Sequence, residues 1–369
     1  MARIAFYISG HGLGHAMRMK ELLGRVRALD PRGALLVMGS MPGWVFTEPP
    51  ALPAAFRRMR CDAGASQRNS LRLDVRRTLV ENRAFYRGIG GLAREEAGRL
   101  RRARVGLVVG DIPPLAFLAA SAAGIPSVAV GNFSWDWIYE AYEPAFPSFR
   151  PIVELIRDAY ARADLLLRLP FHGRMDAFRR VRDIPLITRR AARPRGEIRR
   201  ALGIPRGERR KVVFVSMGGH DNAGTVGGGR ADFGDYLYVS FFRLSAKMRH
   251  LILPESRAGI PHQEIVAASD CVISKPGYCT VAECIANRTP LVYTPRDDFR
   301  EFGVMEAAVR RHCAWHRIPR RDFHDGAWAG HLDAFFAAAR PAPAPMRTDG
   351  ADVAARIILE MAGGAARPT

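Results

Sequence analysis

The segment SKPGYCTVAE at residues 274–283 decides how the fold is interpreted. The apolar run before it predicts a strand, and the pattern after its glycine predicts a helix. A strand that leads through glycine into a helix presents backbone N–H groups and the positive end of the helix dipole to a ligand, which favours phosphate. Lys275 and Thr280 add further donors, and Glu283 lies where two carboxylate oxygens can accept hydrogen bonds from a ribose diol. The segment therefore predicts a site for a nucleoside diphosphate.

Outside this segment, short apolar runs alternate with helical patterns along most of the chain. The runs are nearly continuous in apolar residues, as in strands that are buried on both faces of a parallel sheet. Predicted strands occupy residues 3–9, 34–39, 105–110, 127–131, 164–169, 211–216, 250–253, 270–274 and 290–294. Helical patterns occupy residues 71–102, 114–123 and 278–287. This alternation is typical of doubly wound α/β architecture.

Two irregular stretches interrupt the alternation. Residues 189–211 are crowded with arginine, proline and glycine, so they cannot bury their charge and predict a solvated connector. Because 369 residues correspond to about two domains of ordinary size, we place a domain boundary near residues 187–196. Residues 218–235 are rich in glycine and polar residues, which predicts either a mobile loop over a ligand or a long surface loop.

Composition excludes several classes of protein. Hydrophobic residues make up 48% and charged residues 25% of the chain, which excludes wholesale disorder, collagen-like repeats and coiled coil. The formal charge of +20 attracts polyanions, including nucleic acid, acidic lipid surfaces and phosphorylated small molecules. Because arginine far outnumbers lysine and alanine and glycine are abundant, as in chains from GC-rich genomes, we do not expect nucleic-acid binding. Contact with an acidic membrane surface stays open.

Cysteine content and hydropathy indicate a compartment. The five cysteines are odd in number and form no C-x-x-C pair, which argues against a disulfide framework or a zinc knuckle and favours a reducing compartment. The apolar run at residues 3–9 is too short for a signal-peptide core, and no apolar run approaches the length of a membrane span. We expect a cytoplasmic protein.

The loop after the first predicted strand, SGHGLGHAMR at residues 9–18, combines glycines with two histidines. It is not a dinucleotide fingerprint, because the third glycine and a following acidic residue are missing, and no P-loop occurs in the chain. Ligands of such folds bind at the carboxyl edge of the sheet, where His11 and His15 are expected. The two histidines either serve a ligand or cap and pack the turn. A metal site is not expected, because no third ligand is near in sequence.

Asp111 ends another predicted strand of the same sheet. Its carboxylate either caps the helix that begins near Pro114 or hydrogen-bonds one nitrogen of a histidine in the first loop. In the second case the other nitrogen is left as a base, the arrangement expected of a catalytic dyad. Since His15 and Asp111 both follow strand ends of one sheet, we expect them to be neighbours.

Two further groups follow predicted strands. Ser216, Gly218 and Gly219 follow the strand at 211–216, and we expect them to close on the same phosphates as Lys275. An aromatic group follows the strand at 127–131. If two or more of its rings are exposed, they would stack on an apolar or sugar acceptor, and otherwise they belong to the core. The group consists of Phe133, Trp135, Trp137, Tyr139 and Tyr142.

These motifs resemble those of GT-B glycosyltransferases. Residues 275–283 run parallel, without gaps, to the H-C-G-W-N-S-x-x-E core of plant UDP-sugar transferases, and Pro290 and Pro295 follow at matching distances. The chain is especially similar to family 28, the group around the N-acetylglucosaminyltransferase of peptidoglycan synthesis. The loop at 9–18 and NFSWDWIY at 132–139 also resemble the transferase-like N-terminal half of plant L-arabinokinases. A sugar-kinase glycine motif is absent.

The resemblance implies an α/β fold of GT-B type, in which two Rossmann-like domains face each other across a cleft. Residues 1–190 would bind the acceptor and residues 191–350 the donor, and a helix within 351–369 would cross back to the first domain. It implies transfer of a sugar from a nucleotide diphosphate sugar, UDP-sugar by default, to a hydroxyl or similar group of a small-molecule or lipid-linked acceptor. Inversion is expected, without a metal or other cofactor.

Site residues follow from the same resemblance. His15 would be the catalytic base and Asp111 its orienting partner. The implied donor-binding residues are Ser216, Gly218, Gly219, Lys275, Gly277, Tyr278, Thr280, Glu283, Asp298 and Glu301. The expected acceptor-binding residues are His11, Trp135 and Trp137.

One departure from the pattern concerns the donor sugar. The carboxylate–glutamine pair that holds sugar hydroxyls in plant enzymes aligns with Phe299 and Arg300, so Asp297, Asp298 or Glu301 must supply these contacts. The identity of the sugar is therefore open. The alternative functions are a nucleotide-sugar epimerase or hydrolase of the same fold, and a non-catalytic protein that binds nucleotide sugars or polyanions.

Overall fold

Two parallel β-sheets, one from each half of the chain, form the framework of the computed structural model. It describes residues 3–47, 54–217, 226, 231–243, 245–248, 250–252 and 259–364. The first half contains β1 (Arg3–Ile8), α1 (Leu13–Leu29), β2 (Ala34–Gly39), α2 (Trp44–Thr47), β3 (Ala55–Arg58), α3 (Val75–Arg87), α4 (Ile89–Arg102), β4 (Val105–Asp111), α5 (Pro114–Ala123), β5 (Ser127–Gly131), α6 (Trp135–Glu140), α7 (Arg150–Tyr160), β6 (Leu165–Arg168) and β7 (Val181–Asp183). The second half contains α8 (Arg195–Ala201), β8 (Val212–Val215), β9 (Leu237–Ser240), β10 (Leu251–Ile252), α9 (His262–Ala268), β11 (Cys271–Ser274), α10 (Tyr278–Asn287), β12 (Leu291–Tyr293), α11 (Glu301–His312), β13 (Trp315–Arg317), α12 (Arg320–Asp325), α13 (Ala329–Ala337) and α14 (Gly350–Gly364).

Strand order identifies both sheets as doubly wound. The first sheet runs β3-β2-β1-β4-β5-β6-β7 and the second runs β10-β9-β8-β11-β12-β13. In each, the order reverses beside the first strand, which is where such sheets bind ligands outside their carboxyl ends. The predicted α/β class with two Rossmann-like sheets is confirmed. Within the described ranges, no helix is long and apolar enough to cross a membrane.

The predicted elements differ from the observed ones in a few places. All nine predicted strands are present, β2 and β5 with the predicted ends and the others with ends shifted by one residue, but β3, β7, β9 and β13 were not predicted. The single helical pattern at 71–102 is two helices, α3 and α4, which are separated at Gly88. The Asp74 carboxylate accepts a hydrogen bond from the Arg77 N–H at 2.9 Å and thereby caps α3.

Strand register brings the first two predicted site loops together. Ile8 at the end of β1 pairs with Asp111 at the end of β4, and the Ser9 N–H donates to the Asp111 carbonyl at 2.7 Å. Residues 4–8 of β1 and 107–111 of β4 are buried. The glycine loop before α1 and Asp111 therefore lie next to each other at the same edge of the sheet.

The chain crosses between the halves twice, and the crossings lie side by side. The Leu186 N–H donates to the Arg347 carbonyl at 3.2 Å, and the Gly350 N–H donates to the Leu186 carbonyl at 3.0 Å. Helix α14, which follows the second crossing, packs on α1 of the first half. The buried face of α14 joins the same apolar cluster as β1 and α1.

Candidate active site between the two sheets

A cavity of about 380 Å³ lies between the carboxyl edges of the two sheets. Its walls come from the loop before α1, the first turns of α1, the starts of α9 and α10, and the loop between β12 and α11. A larger surface depression of about 680 Å³ involves Ser121, Asp158 and Arg162 and contains none of the predicted site residues. The cavity between the sheets is therefore the one of the two that predicted site residues line.

His15 and Asp111 form the predicted pair. The His15 Nδ1 atom lies 2.8 Å from the Asp111 Oδ1 atom, and both side chains are buried. Because a carboxylate only accepts, Nδ1–H donates, and in the neutral ring the lone pair is then on Nε2. His15 lines the cavity, whereas Asp111 makes no capping hydrogen bond to α5. The structure therefore pairs the Asp111 carboxylate with His15 rather than with the start of α5.

Arg18, which the sequence did not single out, completes this pair. Its Nε donates to Asp111 Oδ2 at 2.6 Å and its Nη2 to Asp111 Oδ1 at 2.5 Å, so it grips both carboxylate oxygens. Burial alone would raise the pKa of the Asp111 carboxyl, but Arg18 and His15 outweigh burial and hold that pKa below its ordinary value. The carboxylate therefore stays ionised and fixed in orientation behind the His15 ring.

The network continues across the cavity to the second half. Arg18 Nη1 donates to Asn132 Oδ1 at 2.8 Å, and Asn132 Nδ2 donates to Glu301 Oε1 at 2.7 Å. Glu301 lines the cavity as predicted, but Asp298 has an exposed side chain that does not. Asp297 instead forms an ion pair with Arg320. Of the three acidic residues considered for the donor sugar, only Glu301 is therefore brought to the cavity.

The start of α10 forms the opposite wall. Gly277 caps this helix, and Lys275, Gly277, Tyr278 and Thr280 all line the cavity. The Lys275 ammonium donates to the Ser70 carbonyl at 2.8 Å. Burial, assisted by repulsion from a neighbouring arginine, lowers the pKa of Lys275 to about 7. The wall therefore offers helix N–H groups and a titratable cation to an anionic ligand.

Glu283 lies at the base of this wall and already has partners. Arg189 donates to Glu283 Oε1 from both Nε, at 2.8 Å, and Nη2, and His262 Nδ1 donates to Glu283 Oε2 at 2.6 Å. His262 Nε2 in turn accepts from the Ser216 hydroxyl at 2.8 Å. Burial would raise the pKa of Glu283, but Arg189 and His262 outweigh it and hold this pKa below its ordinary value. Since each carboxylate oxygen accepts two hydrogen bonds, Oε1 is filled by Arg189, and Oε2 keeps capacity for one ribose hydroxyl.

Neither Arg189 nor His262 was predicted to be a site residue. Arg189 lies in the arginine-rich connector, and His262 is the first residue of α9. Ser216 lines the cavity as predicted. Gly218 and Gly219 lie outside the described residues.

All five members of the aromatic group are buried in the core, and of these Phe133 also lines the cavity. Trp135 and Trp137 are buried and do not line the cavity, so the condition for an exposed stacking platform is not met. Trp135 Nε1 donates to Asp62 Oδ2 at 2.8 Å. His11 does line the cavity, and its ring lies 5.6 Å from that of Phe299. The structure therefore brings only His11 of the three predicted acceptor residues to the site.

Metal ligands are not assembled here. Across the ranges of the chain that the structure describes, no group of three or more histidine, cysteine, aspartate or glutamate side chains is placed to hold a metal ion. The cavity's charges come instead from arginine, lysine and carboxylate side chains.

Comparison with known sequences gives one partial match. No family model matches the chain. The chain is 34% identical over 336 residues to L-arabinokinase of Arabidopsis thaliana, a match that covers 89% of this chain and 32% of that protein. The chain therefore spans about a third of the length of this curated relative.

Solved structures match over nearly the whole length of the chain. Spinosyn forosaminyltransferase SpnP matches with a TM-score of 0.57 at 14% identity, covering 99% of this chain and 95% of that one. MurG of Acinetobacter baumannii matches with a TM-score of 0.52 at 12% identity, covering 98% and 100%. UDP-glucose: anthocyanidin 3-O-glucosyltransferase in complex with UDP matches with a TM-score of 0.60 at 10% identity, covering 100% and 96%. At such identities these likenesses show the fold alone, and the chain has the GT-B fold of these glycosyltransferases.

Proposed function

We propose that this protein is a glycosyltransferase that moves a sugar from a nucleotide diphosphate sugar, UDP-sugar by default, to an acceptor hydroxyl with inversion. One observation carries the proposal: the His15–Asp111 pair and the start of α10 with Lys275 line or adjoin a single cavity. A base on one wall and an anion site on the other match what direct displacement requires. The acceptor is a small molecule or a lipid-linked molecule.

The proposed reaction is a single displacement. The acceptor hydroxyl gives its proton to His15 Nε2, and its oxygen attacks the anomeric carbon from the face opposite the diphosphate. The bond from that carbon to the phosphate oxygen breaks, and its electron pair leaves with the nucleoside diphosphate. The N–H groups at the start of α10 and the Lys275 ammonium, rather than a metal ion, stabilise the leaving charge.

The surrounding residues hold the reacting groups in place. Asp111 fixes the His15 ring and stabilises the imidazolium that forms, while Arg18 fixes Asp111. Glu283, positioned by Arg189 and His262, accepts a hydrogen bond from one hydroxyl of the ribose diol through Oε2. Gly277, Thr280 and Ser216 complete the donor site in this proposal, together with the pair Gly218–Gly219.

The test compares turnover with donor binding. His15→Ala should lower turnover by roughly 10²–10⁴, the usual contribution of a general base, while donor affinity in calorimetry stays nearly unchanged. Asp111→Asn should keep the fold and also reduce turnover, because the imidazolium loses its counter-charge. His11→Ala is the matched comparison and should cost less turnover, since His11 lies in the same loop and cavity but His15 is the histidine that Asp111 orients.

Melting temperatures and donor-only reactions separate this proposal from its competitors. If His15 is only structural, its variant melts earlier and activity falls only in proportion to folded protein. Consumption of donor without any acceptor would indicate an epimerase or hydrolase instead. Near-normal turnover of His15→Ala would contradict the proposed base.

A further inference from the structure

The loop between β12 and α11 sends one more cation into the cavity, the guanidinium of Arg296. Its Nε and Nη2 atoms are buried, and neither has a hydrogen-bond partner among the described residues. The guanidinium stacks on the Phe299 ring, with its central carbon 4.2 Å from the ring centroid. Buried N–H groups are almost always paired in native proteins, so two open donors that face a cavity indicate a missing acceptor.

The charges around Arg296 call for an anion. Arg296 and Lys275 repel each other, and Glu301 is the carboxylate that attracts both. Glu301 accepts a hydrogen bond from Asn132, and neither Nε nor Nη2 of Arg296 is hydrogen-bonded to it or to another described residue. Burial lowers the pKa of the Arg296 guanidinium despite the opposing effect of Glu301 and Tyr142. A bound anion would relieve both the repulsion and the missing hydrogen bonds.

In the proposed function, the residues around Arg296 place it beside the transferred sugar rather than beside the diphosphate. On one side it interacts with Lys275, next to the start of α10, and on the other its partner Phe299 lies against His11. In the proposed function the diphosphate lies at α10 and the base is His15, in the same loop as His11. The transferred sugar must lie between them, because its anomeric carbon is bonded to phosphate and faces the acceptor oxygen.

We propose that Arg296 binds a carboxylate on the transferred sugar, so that the preferred donor is a nucleotide diphosphate uronic acid. Nε and Nη2 form one edge of the guanidinium, and two parallel N–H donors on one edge match the two oxygens of a carboxylate. A neutral hexose offers hydroxyls but no charge to compensate this cation. The assignment rests on the proposed function and names the class of its donor.

Calorimetry with matched donors tests the assignment. The probes are UDP-glucuronic acid with UDP-glucose, and UDP-galacturonic acid with UDP-galactose. Wild-type protein should bind the acid of at least one pair about 10- to 100-fold more tightly than its neutral partner, the range for hydrogen bonds to a charged group. Arg296→Gln should abolish this preference and leave neutral donors nearly unaffected. Arg296→Lys, which keeps the charge but not the fork, should retain part of it.

Arg300→Gln is the matched control. Arg300 lies on the same loop but contacts Trp137 and Glu140 outside the cavity, so its loss should not change the preference. Equal affinity of wild-type protein for acid and neutral donors overturns the uronic-acid assignment and leaves the proposed function standing. Equal weakening of all four donors by Arg296→Gln also overturns it, because Arg296 would then serve the diphosphate. If neither UDP nor any of the four donors binds, the proposed function itself fails.

Discussion

Lys275 is buried where its charge weakens the fold and where, in the proposed function, it contacts the diphosphate. Its pKa falls from an ordinary 10.5 to about 7, so between these values the unfolded chain binds a proton that the folded chain does not. The contribution of Lys275 to the free energy of unfolding therefore rises with pH between about 7 and 10.5. Below that range it is constant. A diphosphate would compensate for the burial by drawing the proton back.

Lys275→Met should therefore separate stability from binding. Since methionine removes the buried charge, we expect the variant to melt several degrees higher than wild type at pH 7, with the difference shrinking toward pH 10. Affinity for a UDP-sugar should fall at least 10-fold at pH 7, because a charge-assisted contact is lost. Thermal melts across pH and calorimetry measure the two effects. Lys211→Met, at an exposed lysine, is the control and should change neither.

A lower melting temperature for Lys275→Met at pH 7 would contradict the destabilising burial of this lysine. For wild-type protein, affinity for a UDP-sugar should decline as pH rises through 7, since the free lysine loses its proton there.

Individual site residues were predictable where a strand end and a glycine turn mark them. His15, Asp111, Lys275 and Glu283 were found in this way, and the structure gathers all four around one cavity or directly behind its wall. Their partners were not predictable. Arg18, Asn132, Arg189 and His262 meet them only on folding, and a basic chain offers too many arginines to choose among.

At the scale of elements, Glu96 fastens α4 to the first sheet. This fully buried carboxylate accepts from the Tyr7 hydroxyl of β1 at 2.9 Å, from Arg57 Nη1 of β3 at 3.0 Å and from Arg99 Nη1 at 2.6 Å. Burial would raise the pKa of Glu96, but the two arginines outweigh it and hold this pKa below its ordinary value. The interaction stabilises the docking of α4 on β1 as long as Glu96 is ionised.

Glu96→Leu should lower the free energy of unfolding by about 1–3 kcal/mol, the cost of one unsatisfied buried hydroxyl. Arg57 and Arg99 are roughly half exposed and can turn to water, whereas Tyr7 is fully buried and cannot. Urea unfolding measures the change, and Glu95→Leu at the exposed neighbouring residue is the control. In a Tyr7→Phe background the cost should shrink. An unchanged cost there would contradict the role assigned to the hydroxyl.

Strands were predictable from the sequence where both of their faces are buried, because their apolar residues then form a continuous run. The strands that the sequence missed at the sheet edges, β3, β7 and β13, are short and carry arginine or other charged residues, so no continuous apolar run marks them. Strand β9 is buried, but it follows the irregular stretch that ends at residue 235. The break between α3 and α4 at Gly88 leaves the helical period almost unchanged, which is why one helix was expected.

At the scale of the whole molecule, the two halves are joined by paired crossings and by contacts across the cavity. The Tyr142 hydroxyl donates to the Asp298 carbonyl at 2.7 Å, and the Cys279 thiol lies 3.1 Å from the Gly14 carbonyl. The two crossing segments are hydrogen-bonded to each other at Leu186 and Gly350. Any movement of one half relative to the other must therefore displace this pair of residues. Helix α14 packs on α1 and so links the position of the crossings to the first sheet.

Gly350→Ala tests the paired crossings. A Cβ at this position would lie 2.0 Å from the Pro185 carbonyl oxygen and 2.7 Å from the Leu186 carbonyl carbon. Both are backbone atoms, so neither can rotate away as a side chain would. The Leu186 carbonyl also accepts the hydrogen bond between the crossings. The crossings must separate, and we expect the free energy of unfolding to fall by about 1–3 kcal/mol, the usual cost of overpacking.

The matched control lies in the same helix. A Cβ at Gly363 meets no atom within 4 Å, so Gly363→Ala should be neutral or slightly stabilising through improved helix propensity. Urea unfolding of both variants, with a UDP-sugar titration of each folded protein, measures the effect on stability and on the cavity. A Gly350→Ala protein as stable as wild type would show that the crossings tolerate separation, and that α14 alone keeps the second half in position against the first.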